Sequence, residues 1–118
     1  MLQGLRTTVY HVSDLEQAKA WYSDLLGYGP YFDEPFYVGF DVGGYELGLL
    51  PAEPDELPGA VTYWGVADIE AAIATLIEKG ANAADPVTDV GEGIKLATVR
   101  SPLGNLLGVI ENPHFAAR

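Results

Sequence analysis

Apolar residues recur at helical spacing in two stretches of the chain. Leu15, Ala18, Tyr22, Leu25 and Leu26 fall on one helix face, and Ile69, Ala72, Ile73, Leu76 and Ile77 form a second stripe. The same start signal opens both, Val12-Ser13-Asp14-Leu15-Glu16 in the first and Val66-Ala67-Asp68-Ile69-Glu70 in the second. Ser13 and Glu16 have the spacing of a capping box, and Asp68 is placed to cap the second helix. Gly27 and Gly80 are placed to end them.

Around each helix the pattern switches to a period of two. Strands are predicted before the helices, at Arg6–His11 and Val61–Gly65. After the first helix, Phe36–Val42 and Tyr45–Leu50 are split by Gly43-Gly44, a hairpin signal. After the second, Ile94–Arg100 and Asn105–Ile110 are split by Ser101-Pro102-Leu103-Gly104. Less regular strands are expected near Gly29–Asp33 and Ala81–Pro86, and the second copy carries extra loop around Ala84–Gly93. The stretch Ala52–Gly59 is acidic and proline-containing, and reads as a linker. The chain is therefore one α+β domain made of a strand–helix–three-strand unit used twice, module one about 5–51, linker 52–59, module two about 60–111. A sheet with its helix on one face leaves the other bare, and two such sheets can enclose a cleft.

Composition narrows the function classes. With 48% hydrophobic residues in 118, a core can form without staples. Six basic against 17 acidic residues give a net charge of −11, which argues against nucleic acid and against an anionic membrane surface. The same charge suits a cationic ligand, or simple solubility. The absence of cysteine excludes thiol nucleophiles and thiolate metal sites. No apolar run is long enough to span a membrane and Met1-Leu2-Gln3-Gly4 lacks a signal-peptide pattern, so a cytoplasmic protein is expected. There is no Gly-x-Ser-x-Gly elbow, and the glycines of Gly39–Gly44 sit within a hairpin and do not open a helix.

The paired unit, the two Val-x-Asp helix starts, Trp21-Tyr22 followed by Asp24-Leu25-Leu26-Gly27, and Ser101-Pro102-Leu103-Gly104-Asn105 resemble the vicinal oxygen chelate superfamily. That group holds glyoxalase, bleomycin- and fosfomycin-resistance proteins and extradiol dioxygenases. The resemblance covers Leu5 to Ile110 and implies two βαβββ modules whose mixed sheets curl around a cleft, often completed by a second subunit. It also implies a divalent metal that holds two neighbouring substrate oxygens. Carried over by motif, the metal-ligand positions fall on Thr7, Val61, Gly48 and Gly108, none of which offers an imidazole or carboxylate. No metal and no cofactor is therefore expected.

Alternation assigns the side chains that could line the cleft. Thr7, Val9 and His11, then Glu46, Gly48 and Leu50, then Val61, Tyr63 and Gly65, and finally Leu106, Gly108 and Ile110 face away from the helices. The candidate ligand-binding residues are His11, Glu46, Gly48, Tyr63 and Gly108. Gly48 and Gly108 either leave room for a ligand or mark a close strand approach. His11 is either a hydrogen-bonded structural residue or a ligand contact or general base, with Glu46 as its partner. Glu46 itself could be a solvated carboxylate at a sheet edge. The aromatic run Tyr28, Tyr31, Phe32, Phe36 and Tyr37 is either loop packing or a stacking surface. Two functions fit: a metal-free homodimeric protein that sequesters a cationic or aromatic compound, or a lyase, isomerase or dioxygenase of the glyoxalase class using a metal or His11 and Glu46. No nucleic acid or membrane partner is expected.

Overall fold

The structure, a computed structural model, describes residues 1–55, 59–102 and 105–116. Its elements are β1 (Gly4–Val12), α1 (Leu15–Leu26), β2 (Phe32–Glu34), β3 (Tyr37–Val42), β4 (Tyr45–Pro51), β5 (Gly59–Gly65), α2 (Ile69–Glu78), β6 (Asn82–Ala83), β7 (Thr88–Gly91), β8 (Ile94–Arg100) and β9 (Leu106–Glu111). The class is α+β, and the strand–helix–strands unit occurs twice. Two compact units form, one of Thr7–Ala60 and one of Met1–Arg6 with Val61–Ala116, so the first three residues of β1 belong with the second unit. Residues 56–58 of the expected linker and Leu103-Gly104 of the expected turn lie outside the described residues.

In the first unit the strand order is β2-β3-β4-β1. β4 is antiparallel to β3 and parallel to β1. The hairpin turn falls on Gly43 and Gly44, both at positive φ, as a tight primed turn requires. Val38, Phe40 and Leu49 are fully buried, with Leu15, Ala18, Tyr22, Leu26 and Leu47 packed on them. Tyr10 stacks on Tyr22 at 6.1 Å, which fixes the helix-facing side of β1. Leu25, expected in the stripe, is exposed instead. The expected Ser13–Glu16 capping box is also replaced. Asp14 is the cap, accepting from the Gln17 N–H at 3.0 Å, while Glu16 pairs with Lys19 at 3.0 Å. One residue nearer the helix, the Asp14 carboxylate takes an unsatisfied N–H and meets the positive end of the helix dipole.

In the second unit the order is β5-β9-β8-β6, and β7 also pairs with β8. β7 occupies the stretch expected to be plain loop, so this unit has four strands after its helix. A register shift between Asp89 and Gly91 and positive φ at Gly91, Glu92 and Gly93 explain why no alternation announced it. Val66, Ile69, Ala72, Ala97 and Val109 form the core, with Ile73 and Leu76 against them. Ile77 is exposed, being about 80° round the helix from Ile69. Asp68 caps α2 as expected, and the Glu111 carboxylate accepts from the Ile69 N–H at 2.9 Å, tying β9 to the helix start. No helix of the described residues is long and apolar enough to cross a membrane.

Candidate functional site

The helix-free face of the first unit carries a cluster whose shape is set by two glycines. Gly39 and Gly48 are direct cross-strand partners on β3 and β4. A Cβ at Gly48 would sit 2.8 Å from Tyr37 Cζ, and one at Gly39 would sit 3.2 Å from Tyr31 Cε1 and 3.3 Å from Tyr37 Cε2. Without side chains at these points, both rings lie close over the sheet, the arrangement in which an aromatic covers a bare strand glycine. Their hydroxyls converge on one carboxylate. Tyr31 donates to Glu46 Oε1 and Tyr37 donates to Glu46 Oε2. Loss of water around its hydroxyl, then the charged acceptor at Glu46, push the Tyr31 phenol well above the usual tyrosine range.

Glu46 thus stands at the end of an aromatic wall. Phe32 lies 6.0 Å from Tyr37 and 6.1 Å from Phe36, and Phe36 and Tyr31 are exposed. Among the described residues no cation contacts Glu46. An ionised carboxylate offers about four acceptor positions, so two phenols leave it able to take further donors. The arrangement can hold a flat or cationic group against the rings.

His11 shares this face but not this cluster. The register sets His11 beside Leu50 and Glu46 beside Thr7, four residues apart along β1. That is about 13 Å at strand rise, too far for the His11–Glu46 pairing that the sequence suggested. An open depression of about 240 Å³ lies elsewhere, beside the start of α1, lined by Val12, Ser13, Asp14, Gln17, Ala18 and Trp21. It gathers one carboxylate and no convergent polar set, so the tyrosine–glutamate cluster has the stronger chemistry.

The second unit repeats the device with other residues. Tyr63 pairs with Gly108 across β5 and β9, and a Cβ at Gly108 would lie 2.5 Å from Tyr63 Cδ1. On the same face Thr98, opposite Gly108, is buried and locked to Asp85. Its hydroxyl donates to Asp85 Oδ2 at 2.8 Å and accepts from the Asp85 N–H at 3.0 Å. Burial first, and then the Asp85 charge, push the Tyr63 phenol up.

From the sequence Gly48 and Gly108 are open to two readings, room for a ligand or a close approach, and the space over each glycine is occupied by a ring, that of Tyr37 and that of Tyr63. Both glycines, with Glu46 and Tyr63, lie on the helix-free faces, as alternation placed them. Sequence reasoning missed Gly39, and it noted Tyr31 and Tyr37 only as part of an aromatic run. The cross-strand match of Gly39 with Gly48 was the available signal. The metal positions carried over by motif remain without ligands, and among the described residues no group of three or more His, Asp or Glu could hold a metal ion. Among the described residues the side chains at these positions supply no ligand set for a divalent metal.

Comparison with known proteins defines the class. The family model for the Glyoxalase/Bleomycin resistance protein/Dioxygenase superfamily matches residues 4–109, and the chain belongs to that superfamily. Among curated proteins it is 27% identical over 119 residues to the Mycobacterium bovis protein CFP32, whose name marks it as a glyoxylase. That match covers 89% of this chain and 44% of the relative, so the chain spans less than half of that protein's length. Among solved structures, a Mn(II)-bound glyoxalase from Novosphingobium aromaticivorans superposes with a TM-score of 0.78 at 22% identity, over 99% of this chain and 41% of that one. A Streptomyces coelicolor methylmalonyl-CoA epimerase superposes with a TM-score of 0.75 at 16% identity, with both chains fully covered. At these identities the structures share the fold and nothing finer.

Proposed function

We propose that the chain is a cytoplasmic small-molecule-binding protein that holds a cationic or aromatic organic compound without a bound metal. The observation that carries this reading is Glu46, an acidic group with no cation against it among the described residues, set among Tyr31, Tyr37 and Phe32. A net charge of −11 favours the approach of a cation over long range.

The test is a screen of aromatic amines and their neutral isosteres by calorimetry, on wild type and Glu46→Gln. The amines are expected to bind, and the variant to weaken them by about tenfold, the usual scale for a hydrogen bond to a charged group. Neutral isosteres should be unaffected by the substitution. Equal binding of amines by the variant would overturn the reading. So would one zinc, nickel, iron or manganese per chain whose removal abolishes binding, which would favour the lyase, isomerase or dioxygenase alternative.

The proposal includes a homodimer. Trp21 and Leu25 lie one turn apart on α1 and are 59% and 64% exposed, a pair of large apolar groups that water solvates poorly. Light scattering at micromolar concentration should give a two-chain mass, and Trp21→Glu should shift it toward one chain. A wild-type mass of one chain would remove this part of the proposal.

A further inference from the structure

With 17 acidic residues and six basic ones, every cation in this chain has carboxylates to choose from. Lys19 takes two, Glu16 and Asp33. Arg6 takes none among the described residues. Its Nη1 donates to the Leu5 carbonyl at 3.1 Å and its Nη2 to Gln3 Oε1 at 3.4 Å, both neutral acceptors. Asp85, a carboxylate of the same unit, is held by Thr98 instead.

The guanidinium is nevertheless held in place. A Cβ at Gly65 would lie 2.5 Å from Arg6 Nε, 2.6 Å from Cζ and 2.8 Å from Nη2. These near-equal distances put that point over the flat of the group and not at its edge. The Phe115 ring centroid lies 3.8 Å from Arg6 Cζ, a stacking distance. The missing side chain at Gly65 and the ring of Phe115 thus fix the plane, and the donor edges remain open. Five N–H groups less the two in use leave three.

We propose that Arg6 is the receptor for the carboxylate of a small organic acid, bound on the helix-free face of the second unit, a site distinct from the Glu46 cluster. A rigid planar fork with open N–H groups matches a carboxylate through paired hydrogen bonds. The surroundings select the rest of the ligand. Tyr63 lies two residues before Gly65 on the same face of β5, and Ile110, the cross-strand partner of Gly65, is buried. The partly exposed Tyr63 ring, backed by this buried residue, is a wall for a flat apolar body. The strongly acidic chain disfavours multiply charged anions, so a monocarboxylate is the class that fits.

The probes are benzoate, benzamide and inorganic phosphate, titrated into the full chain while the Arg6 Nε–H resonance is followed by NMR. Benzoate should shift that resonance saturably, and benzamide should not. Arg6→Met, which keeps much of the apolar stem, should weaken benzoate by at least about tenfold, the scale of a charged hydrogen bond. Arg6→Lys keeps the charge but loses the fork and should weaken it as well. Gly65→Ala keeps the arginine and displaces its plane, and it too should weaken binding. A melting scan of each variant establishes that the comparison is made on folded protein. Benzoate binding unchanged in Arg6→Lys or in Gly65→Ala, a benzamide shift equal to that of benzoate, or phosphate binding as tight as benzoate would each overturn the assignment.

Discussion

Phe40→Ala is expected to destabilise the protein by about 3–5 kcal/mol, the range for truncating a buried aromatic. Phe40 is fully buried between Val38 and Leu49 under α1. That helix has no buried residue of its own, so its docking rests on partly buried side chains meeting this strand surface. Removing the ring leaves a cavity beneath Tyr22 and Leu26 that a pleated sheet cannot collapse to fill. For a chain of this length the melting temperature should fall by roughly 12–20 °C. The loss should reach the candidate site as well. Gly39 neighbours Phe40 on β3, and its opposite face carries the rings that meet Glu46. A melting scan of the variant decides it, and a fall of only a few degrees would show that the core of the first unit is not organised around Phe40.

Gly108→Leu is expected to be the costlier of the two glycine replacements. At Gly108 the atoms nearest a new Cβ are Tyr63 Cδ1, Cγ and Cε1, at 2.5, 2.7 and 2.8 Å. These atoms lie near the root of the ring, so Tyr63 can clear the space only by leaving its partly buried place. Overpacking of this kind costs typically about 1–3 kcal/mol, which here should lower the melting temperature by roughly 5–12 °C. At Gly48 the conflict is with the outer end of Tyr37, its Cζ at 2.8 Å and Cε1 at 2.9 Å, and that end can swing away from the sheet. Gly48→Leu should therefore melt closer to wild type while parting Tyr37 from Glu46, so that amine binding falls. Paired melting scans and amine titrations of both variants read this out. A larger melting loss at Gly48 than at Gly108 would falsify the distinction between ring root and ring tip.

The sequence by itself determined the duplicated unit, both helices and the faces of the long strands. Helical stripes and strand alternation are local and repeat over enough residues to outvote single exceptions, and the two Val-x-Asp starts carried the family resemblance. It erred where one residue decides the outcome, as with Asp14 capping α1 in place of Ser13, or Leu25 turning outward. It also missed β7, whose bulge and positive φ values break the alternation. Only the tertiary structure decided the chemistry. Glu46 and Gly48 were legible as helix-free positions, but the register between β1 and β4 parted His11 from Glu46, and the pairing of Gly39 with Gly48 brought Tyr31 and Tyr37 to the carboxylate instead. Likewise nothing in the chain order joins Arg6 to Gly65 and Phe115. A strand's face follows from its own period of two, whereas its register and the rotamers of its long side chains follow from neighbours distant in sequence.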